Sequence, residues 1–378
     1  MKDSIFVYIY GYLPGNGYGG PVSSIYNFTQ HFGDKYDIRI VCSNHDHGDT
    51  AVYSNINPDW NPVGKANVMY LSEKEYGVAK FCELMKPYNV KMAYLTGVFP
   101  YPINHPAMRA CDKLNIPVVI ATRGEILTNI LAMKKCKKVP YLHIMRMIGE
   151  FNKVQFQVTS DEEVTQLKKY LHIPDERITM LPNIHGKALN LPRPEKKVGE
   201  ARFIFISRIH PKKNLLDAIE GLTKVNGEIL FDIYGPIEDE AYWKTCQEMI
   251  KKVPDNVKIS YKGPLNLQEA RESYYGYHAF LFPTLSENYG HVIVESLIAE
   301  CPVIISRETT PWDDLDGIAG YVVKLHDIPA LTEAINKIVA MNSVEYRKMR
   351  ESLNSYRDRK LNLDNLIEGY ERLISNNK

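Results

Sequence analysis

The chain has 378 residues, 44% of them hydrophobic and 24% charged, with a formal net charge of +1 and a pI near 7.6. That length suits two domains of ordinary size, and the near-neutral charge gives no field to draw the chain to nucleic acid. Six scattered cysteines without a CxxC pair read as reduced core residues of a cytoplasmic protein. The N-terminus reads as a first strand and not a signal peptide, and no apolar run approaches the roughly 18 residues of a membrane span.

In chain order, Ser4 to Tyr10 (SIFVYIY) is a strand rich in β-branched and aromatic residues. The glycine-rich stretch GYLPGNGYGGPVSS follows, then an amphipathic helix over 22–32. Strands at 38–42, 68–71, 92–95 and 117–121 are joined by helices at 75–86 and 105–113. A strand at 156–158, a helix at 162–170 and a strand at 178–181 complete this half. Residues 185–200 carry two prolines, several charges and no periodicity, and are expected to link two domains. The alternation then restarts, with strands at 203–206, 229–234, 257–261 and 279–282 and helices at 215–223, 242–253 and 269–274. Helices at 330–341, 343–356 and 366–375 close the chain. Short apolar strands alternating with helices imply parallel sheets covered on both faces. The expectation is an α/β chain of two Rossmann-like doubly wound domains, 1–190 and 191–360. Residues 361–378 form a C-terminal helix expected to pack back on the first. The 25 tyrosines are expected in strands and interfaces.

The densest chemistry lies in residues 280–305, FLFPTLSENYGHVIVESLIAECPVII. Pro283 stops a buried strand, Asn288 and Gly290 disfavour helix before 291, and Pro302 ends the helix that follows. Glu287 therefore lies in a loop and Glu295 in an early helical turn. The backbone N–H groups of Asn288, Tyr289, Gly290 and His291 are helix-start donors, and Gly290 admits a ligand close to the backbone. A carboxylate accepts hydroxyl hydrogen bonds in pairs, which suits a sugar or ribose diol. At about 1.5 Å per helical residue the two carboxylates lie on the order of 10 Å apart, about the reach of a folded nucleotide-sugar. Upstream, Ser207-Arg208-Ile209-His210-Pro211-Lys212-Lys213-Asn214 follows the strand FIFI. Open α/β sheets bind ligands at such carboxyl ends. There the planar fork of Arg208 and the point charge of Lys213 can clamp a pyrophosphate where charge accumulates as it leaves. Asn214 can adopt positive φ.

Other patterns are less specific. Gly15, Gly17 and Gly20 spell G-x-G-x-x-G, the dinucleotide fingerprint, but Pro14 and Pro21 bracket it and no acidic residue ends the second strand. Asp314 and Asp316 form a D-x-D expected to be a solvated turn. His45, Asp46, His47 and Asp49 are close enough in sequence for a divalent ion, although their adjacency suits a polar loop better. No Walker A motif is present. Residues 130–148 (ILAMKKCKKVPYLHIMRMI) mix Lys134, Lys135, Lys137, Lys138 and Arg146 with long apolar side chains. This stretch reads equally as a core helix with a solvated lysine face or as a contact with an anionic membrane surface.

The stretch from Pro283 to Glu295 matches P-S/T-x-x-E-x-F/Y-G-x-x-x-x-E, and Arg208 to Asn214 matches R-x-x-x-x-K-G/N. Both resemble retaining glycosyltransferase family 4, whose members have the GT-B fold of two Rossmann-like domains facing a cleft. Glu300 departs from the glycine frequent before the closing x-P-V-I, and Ser207 from the glycine before the arginine. The resemblance implies a retaining glycosyltransferase without a cofactor or catalytic metal. It would move a sugar from a nucleotide-sugar, most often a UDP-sugar, to a glycan or lipid-linked acceptor in cell-surface polysaccharide synthesis. Catalysis falls to Arg208, Lys213 and Glu287, and donor binding to Asn288, Tyr289, Gly290 and Glu295. Gly19 and Gly20 resemble the family's N-terminal glycine pair, whose amides face the donor phosphates. Tyr234 stands where the family has a G-x-G loop, and Leu265 in the segment facing the donor base. Thr309 to Trp312 fits the loop beside the donor sugar. Ala121-Thr122-Arg123-Gly124 resembles a segment that sets Arg123 on the acceptor side; a surface pairing with Glu125 is the alternative. His105 is a candidate side-chain base. Leu181 to His185 resembles a P-N-G-V-D segment with two replacements.

Two rival readings remain at this point: an NAD-dependent oxidoreductase using the Gly15–Gly20 loop, and a non-catalytic nucleotide-sugar-binding protein. The expected location is cytoplasmic, or peripheral on the inner face of the membrane.

Overall fold

The computed structural model describes residues 2–15, 18–133 and 135–375. Gly17, within the glycine-rich stretch, and Lys134, among the membrane candidates, lie outside the described residues. The chain divides into two compact units, Met1–His185 with Leu363–Lys378, and Gly186–Asn362.

The N-terminal unit is built on an eight-stranded sheet. Its strands in chain order are β1 (Ser4–Tyr8), β2 (Asp37–Ser43), β3 (Asn61–Val63), β4 (Ala66–Leu71), β5 (Val90–Thr96), β6 (Val118–Ala121), β7 (Val154–Val158) and β8 (Ile178–Met180). The spatial order is β3-β4-β2-β1-β5-β6-β7-β8, parallel except for β3, which runs antiparallel to β4. Every residue of β1 is buried, because crossover helices cover both faces of such a sheet. Alternate side chains feed two cores. Phe6 and Tyr8 enter one, while Ile5 and Val7 enter the other, the period-two consequence of strand geometry. The helix Leu363–Ser375 packs in the second core through Leu366, Tyr370 and Leu373. The Tyr370 ring lies 5.8 Å from that of Phe28.

The C-terminal unit carries β9 (Glu200–Ile206), β10 (Glu228–Tyr234), β11 (Val257–Gly263), β12 (Ala279–Phe282), β13 (Val303–Ser306) and β14 (Gly320–Val323). Their order, β11-β10-β9-β12-β13-β14, is wholly parallel. Successive connections run outward from β9 to one edge, then restart at β12 and run to the other. The gap beyond the carboxyl ends of β9 and β12 is thus the topological switch point, where a doubly wound sheet opens a crevice.

Several expectations change. β3 and β14, short edge strands of three and four residues, are additions to the expected set. The stretch 130–148 is two helices, Thr128–Ala132 and Lys135–Met147. Residues 186–199 contain no helix or strand, yet they are bound to the C-terminal unit. Lys196 is buried, and its ammonium donates to the carbonyls of Val339 and Met341 at 3.0 and 2.9 Å, closing the end of the helix Ile328–Ala340. Burial pushes its pKa down to about 8. Many of the tyrosines are core residues: Tyr8, Tyr12, Tyr94, Tyr274, Tyr356 and Tyr370 are among the largest fully buried side chains.

Glu300 occupies the position where the resemblance has glycine, and it takes a left-handed backbone with φ 52°. Arg350, Arg193 and Arg357 converge on its carboxylate. Burial alone would raise the Glu300 pKa, but these arginines outweigh it and hold the carboxyl below its usual range. The side chain stabilises a conformation that its backbone disfavours.

Candidate functional site

β9 runs out at Ile206, and the next residues cross to the neighbouring strand end. Ser207 N–H donates to the Tyr234 carbonyl at 3.0 Å and Ile209 N–H to the Pro236 carbonyl at 2.9 Å. Gly235, φ 137°, permits this, since a Cβ there would stand 1.9 Å from the Ser207 carbonyl oxygen. A single 3-10 turn, Pro211–Lys213, follows, and the His210 ring accepts from Lys212 N–H to start it. Asn214 then takes φ 55° and begins the helix Leu215–Gly221. That reversal aims Lys213 back over the strand ends.

From β12 the chain enters the loop 283–290. Leu285 N–H donates to the Lys212 carbonyl at 3.0 Å and Glu287 N–H to the Thr309 carbonyl at 2.7 Å. Gly290, φ 71°, then caps the helix His291–Ile298. The two loops meet at an ion pair. Lys213 Nζ lies 2.5 Å from Glu287 Oε1, with side chains only 13% and 15% exposed. Thr284, fully buried, donates within reach of the same carboxylate oxygen at 3.3 Å and of the Lys212 carbonyl at 3.2 Å. The Lys213 ammonium also lies 5.9 Å from the Phe282 ring.

Arg208 occupies the same end of β9 but holds a different partner. Its guanidinium bonds the Glu238 carboxylate at 2.6 Å, and both side chains are well exposed. Tyr289 supports the loop through its carbonyl, which accepts from Trp312 Nε1 at 2.7 Å, and through its ring, 5.9 Å from that indole. Glu295 is half-buried in the helix His291–Ile298. Burial first, and the Glu295 charge second, raise the pKa of fully buried Tyr274.

The remaining candidates are more dispersed. The Tyr234 hydroxyl pairs with that of Tyr277 at 3.1 Å, and Tyr277 donates to Asp232 at 2.7 Å. Leu265 is half-buried against the core just beyond β11. In the N-terminal unit, Gly19 (φ 65°) caps the helix Gly20–Phe32 without a side-chain cap. β1 ends at Tyr8 and this helix begins at Gly20, a longer connection than the tight strand-to-helix turn of a dinucleotide site.

Arg123 is not a surface residue paired with Glu125. It donates to Ser24 Oγ at 2.7 Å, to Tyr94 Oη at 3.3 Å and to Asn183 Oδ1. Glu125 instead accepts from the N–H groups of Val98 and Phe99 at 2.6 and 3.0 Å; burial raises its pKa, against those two donors. His105 sits in the helix Tyr101–Leu114, 2.6 Å from Glu150 Oε1, and Arg109 holds the other oxygen at 2.8 Å. Asn183, in the segment similar to P-N-G-V-D, belongs to the Arg123 network.

The D-x-D lies in an exposed turn at Asp313–Leu315, as expected, and both of its carboxylates are ion-paired. Asp314 accepts from Tyr356 and Lys360 at 2.8 and 2.6 Å, and Asp316 from Arg307 and Val322 N–H at 2.8 and 3.0 Å. Among the described residues no three His, Cys, Asp or Glu side chains group so as to hold a metal ion.

Three roles go beyond the reading of the sequence, the first at Asn214, whose backbone alone is expected to matter. Asn214 Nδ2 donates both to Asp217 Oδ2 at 2.7 Å and to the Pro283 carbonyl at 2.8 Å, so it ties the Lys213 loop to the Glu287 loop. His326 lies 2.8 Å from the same Asp217 oxygen. Glu163, fully buried, accepts from Thr122 Oγ1, Gly124 N–H and both Thr159 donors at 2.5–2.8 Å and so sets the Arg123 turn. Asn at the start of a helix with Asp three residues on is a cue for the first. Glu163 is one of three acidic residues in a helical first turn, and nothing in the sequence singles it out for the last.

Two Rossmann-like units in this order constitute the GT-B fold. Residues 188–359 match the model of the family described as "Glycosyl transferases group 1". No curated protein matches the chain in sequence. Among solved structures the chain is similar to a glycosyltransferase from Rickettsia africae, at 14% identity and TM-score 0.68, covering 99% of this chain and 98% of that one. It is similar to HepE from Anabaena, solved with UDP and glucose, at 12% identity and TM-score 0.69, covering 99% and 100%. It is also similar to a mutant of S. aureus TarM, solved with fondaparinux, alpha-GlcNAc-glycerol and UDP, at 15% identity and TM-score 0.68, covering 98% and 99%.

Proposed function

We propose that the protein is a retaining glycosyltransferase that moves a sugar from a nucleotide-sugar, a UDP-sugar in the first instance, to a glycan or lipid-linked acceptor. The observation that carries this reading is the half-buried Lys213–Glu287 pair at the switch point of the second sheet, flanked by the Arg208 cation and the start of a helix at His291. The match of residues 188–359 to group 1 glycosyl transferases supports it, as do two of the solved structures, which hold UDP.

In this reading the donor diphosphate takes Lys213 from Glu287 and adds Arg208. One carboxylate partner is exchanged for a group that becomes more negative as the bond breaks, so the interaction strengthens in the transition state. Glu287, released, accepts from hydroxyls of the transferred sugar, and Glu295 from the ribose. Backbone N–H groups near Gly290 assist, favoured by the positive end of the helix. The acceptor oxygen bonds C1 as the C1–phosphate oxygen bond breaks. The acceptor proton passes to a phosphate oxygen on the same face, so no enzyme nucleophile is used. Lys213 and Arg208 offset the developing charge that a metal would otherwise meet.

The test is a thermal-shift and hydrolysis screen of UDP and UDP-sugars against the wild type, Lys213→Ala and Glu287→Gln. Stabilisation by UDP with slow donor hydrolysis, both lost in Lys213→Ala, is the expected outcome. UDP binding with no turnover of any donor would identify a silent binder instead, and stabilisation by NADH but not UDP would sink the reading.

A further inference from the structure

The helix Lys135–Met147 and the residues flanking it present a surface that the proposed reaction does not use. Leu142 and Met145 are buried. On the opposite side Lys137, Pro140, Ile144, Met147 and Ile148 recur at three- and four-residue intervals, and all are exposed. Such spacing sets them along one stripe of the helix. Met133, also exposed, precedes the helix on an extended backbone. The exposure is large: Met147 80%, Met133 63%, Ile148 53% and Ile144 52%. Tyr101, 42% exposed, extends the patch, because its ring lies 6.1 Å from that of Tyr141 on the same helix. Outside this patch, Val52 and Met180 are the other comparably exposed large apolar side chains among the described residues of the N-terminal unit.

Within the stretch that carries the stripe the charges are of one sign, and the exposed carboxylate that meets it from a neighbouring helix, Glu162, accepts from Thr128 N–H at 2.9 Å, ahead of the stripe. Between Glu125 and Glu150 the chain contains no acidic residue. Glu150 itself is 1% exposed and is engaged by His105 and Arg109. Lys135 and Lys137 stand exposed at one end of the helix. Arg146, near the other end, bonds the His172 ring at 2.9 Å. Lys138, expected among the membrane-facing lysines, is spent differently. Its ammonium donates to the Ile130 carbonyl at 3.0 Å and lies 5.0 Å from the Phe99 ring. The lysines alone are thus fewer than the sequence implies, and the apolar stripe carries more of the case.

We propose that this face lies on an anionic phospholipid surface, with Ile144, Met147 and Ile148 in the acyl boundary and Tyr101 at headgroup level. Lys135 and Lys137 would reach the lipid phosphates. Charge complementarity selects this occupant. A second copy of the chain would bring the same cations against one another, whereas an anionic bilayer offers apolar depth and negative charge together. No described helix is long and apolar enough to cross a membrane, so the contact is a surface one. The inference stands apart from the donor site, and it is tested without a donor.

The experiment is co-sedimentation of the full chain with vesicles of phosphatidylcholine alone, and of phosphatidylcholine with 30 mol% phosphatidylglycerol. The wild type is compared with Ile144→Ser/Met147→Ser/Ile148→Ser and with Lys135→Glu/Lys137→Glu. These positions are exposed, so melting temperatures should match the wild type. The wild type is expected to bind the anionic vesicles at least tenfold better than the neutral ones. The stripe variant should lose at least tenfold in partition. The lysine variant should lose about fivefold per cation removed, and more for the reversal. A dye on exposed Cys136 should shift to the blue with anionic vesicles only. Equal partition of wild type and stripe variant overturns the proposal. So does a wild-type dimer that the stripe substitutions convert to monomer with vesicle binding unchanged, which would make the face a self-association surface.

Discussion

Two cations at the ends of buried strands have opposite fates in this molecule. Lys213, beyond β9, is held by one carboxylate oxygen in a half-buried setting. Arg123, beyond β6, is held by Ser24, Tyr94 and Asn183, on a left-handed backbone with φ 53° fixed from beneath by Glu163. A cation with one ionic partner can be transferred to a ligand of higher charge. A cation spread over fixed neutral acceptors cannot leave without stranding them, and buried polar groups without partners are costly. On the proposed reading the difference suits Lys213 to chemistry and Arg123 to holding its own turn, although both are basic residues following a strand.

Substitution sharpens this contrast. Lys213→Ala is expected to cut sugar transfer by about 10²–10³-fold, the loss typical of removing one charge-stabilising donor. The melting temperature should move by only about 2–4 °C, as checked by initial rates beside calorimetry. If transfer survives, Lys213 is no more functional than Arg123 and the contrast disappears.

Arg123→Met should show the reverse pattern. Asn183 and Ser24, both buried, lose a donor, which costs about 2–3 kcal/mol of stability in urea unfolding. UDP stabilisation in the C-terminal unit should be unaffected.

Asp217→Asn probes the tie between the two loops. It alters the oxygen that accepts from Asn214, so Lys213 is less well aimed. UDP affinity by calorimetry should fall by about tenfold, since small misplacements are expensive in an organised site. Folding should change by about 1 kcal/mol or less.

The smallest effect is expected at Glu300. Its folded pKa is depressed below the ordinary 4.5. Its contribution to stability is therefore present above about pH 4.5 and lost as the pH falls through the lower folded value. Glu300→Gly relieves the left-handed backbone but takes a carboxylate from three arginines, of which Arg357 keeps Asp358. The net change at pH 7 should stay within about 1 kcal/mol, and the acid limb of the stability profile should be shallower than that of the wild type.

The fold was largely legible in the chain itself. Period-two apolar runs, helix periodicity and the breakers Pro283 and Pro302 place most strands and helices within a few residues. The motif spacings around Lys213 and Glu287 correctly mark the two loops that meet. Contacts across many residues of sequence were not legible. Arg208 and Lys213 belong to one sequence motif, yet they take partners 30 and 74 residues away. Asp314 and Asp316 look like a metal motif and serve as anchors for Lys360 and Arg307. Local backbone preference and burial periodicity act over a few residues, so the sequence determines where elements begin, end and turn. Which partner a charged side chain meets depends on strand order and on the desolvation that burial imposes, and those exist only once the sheet has closed around it.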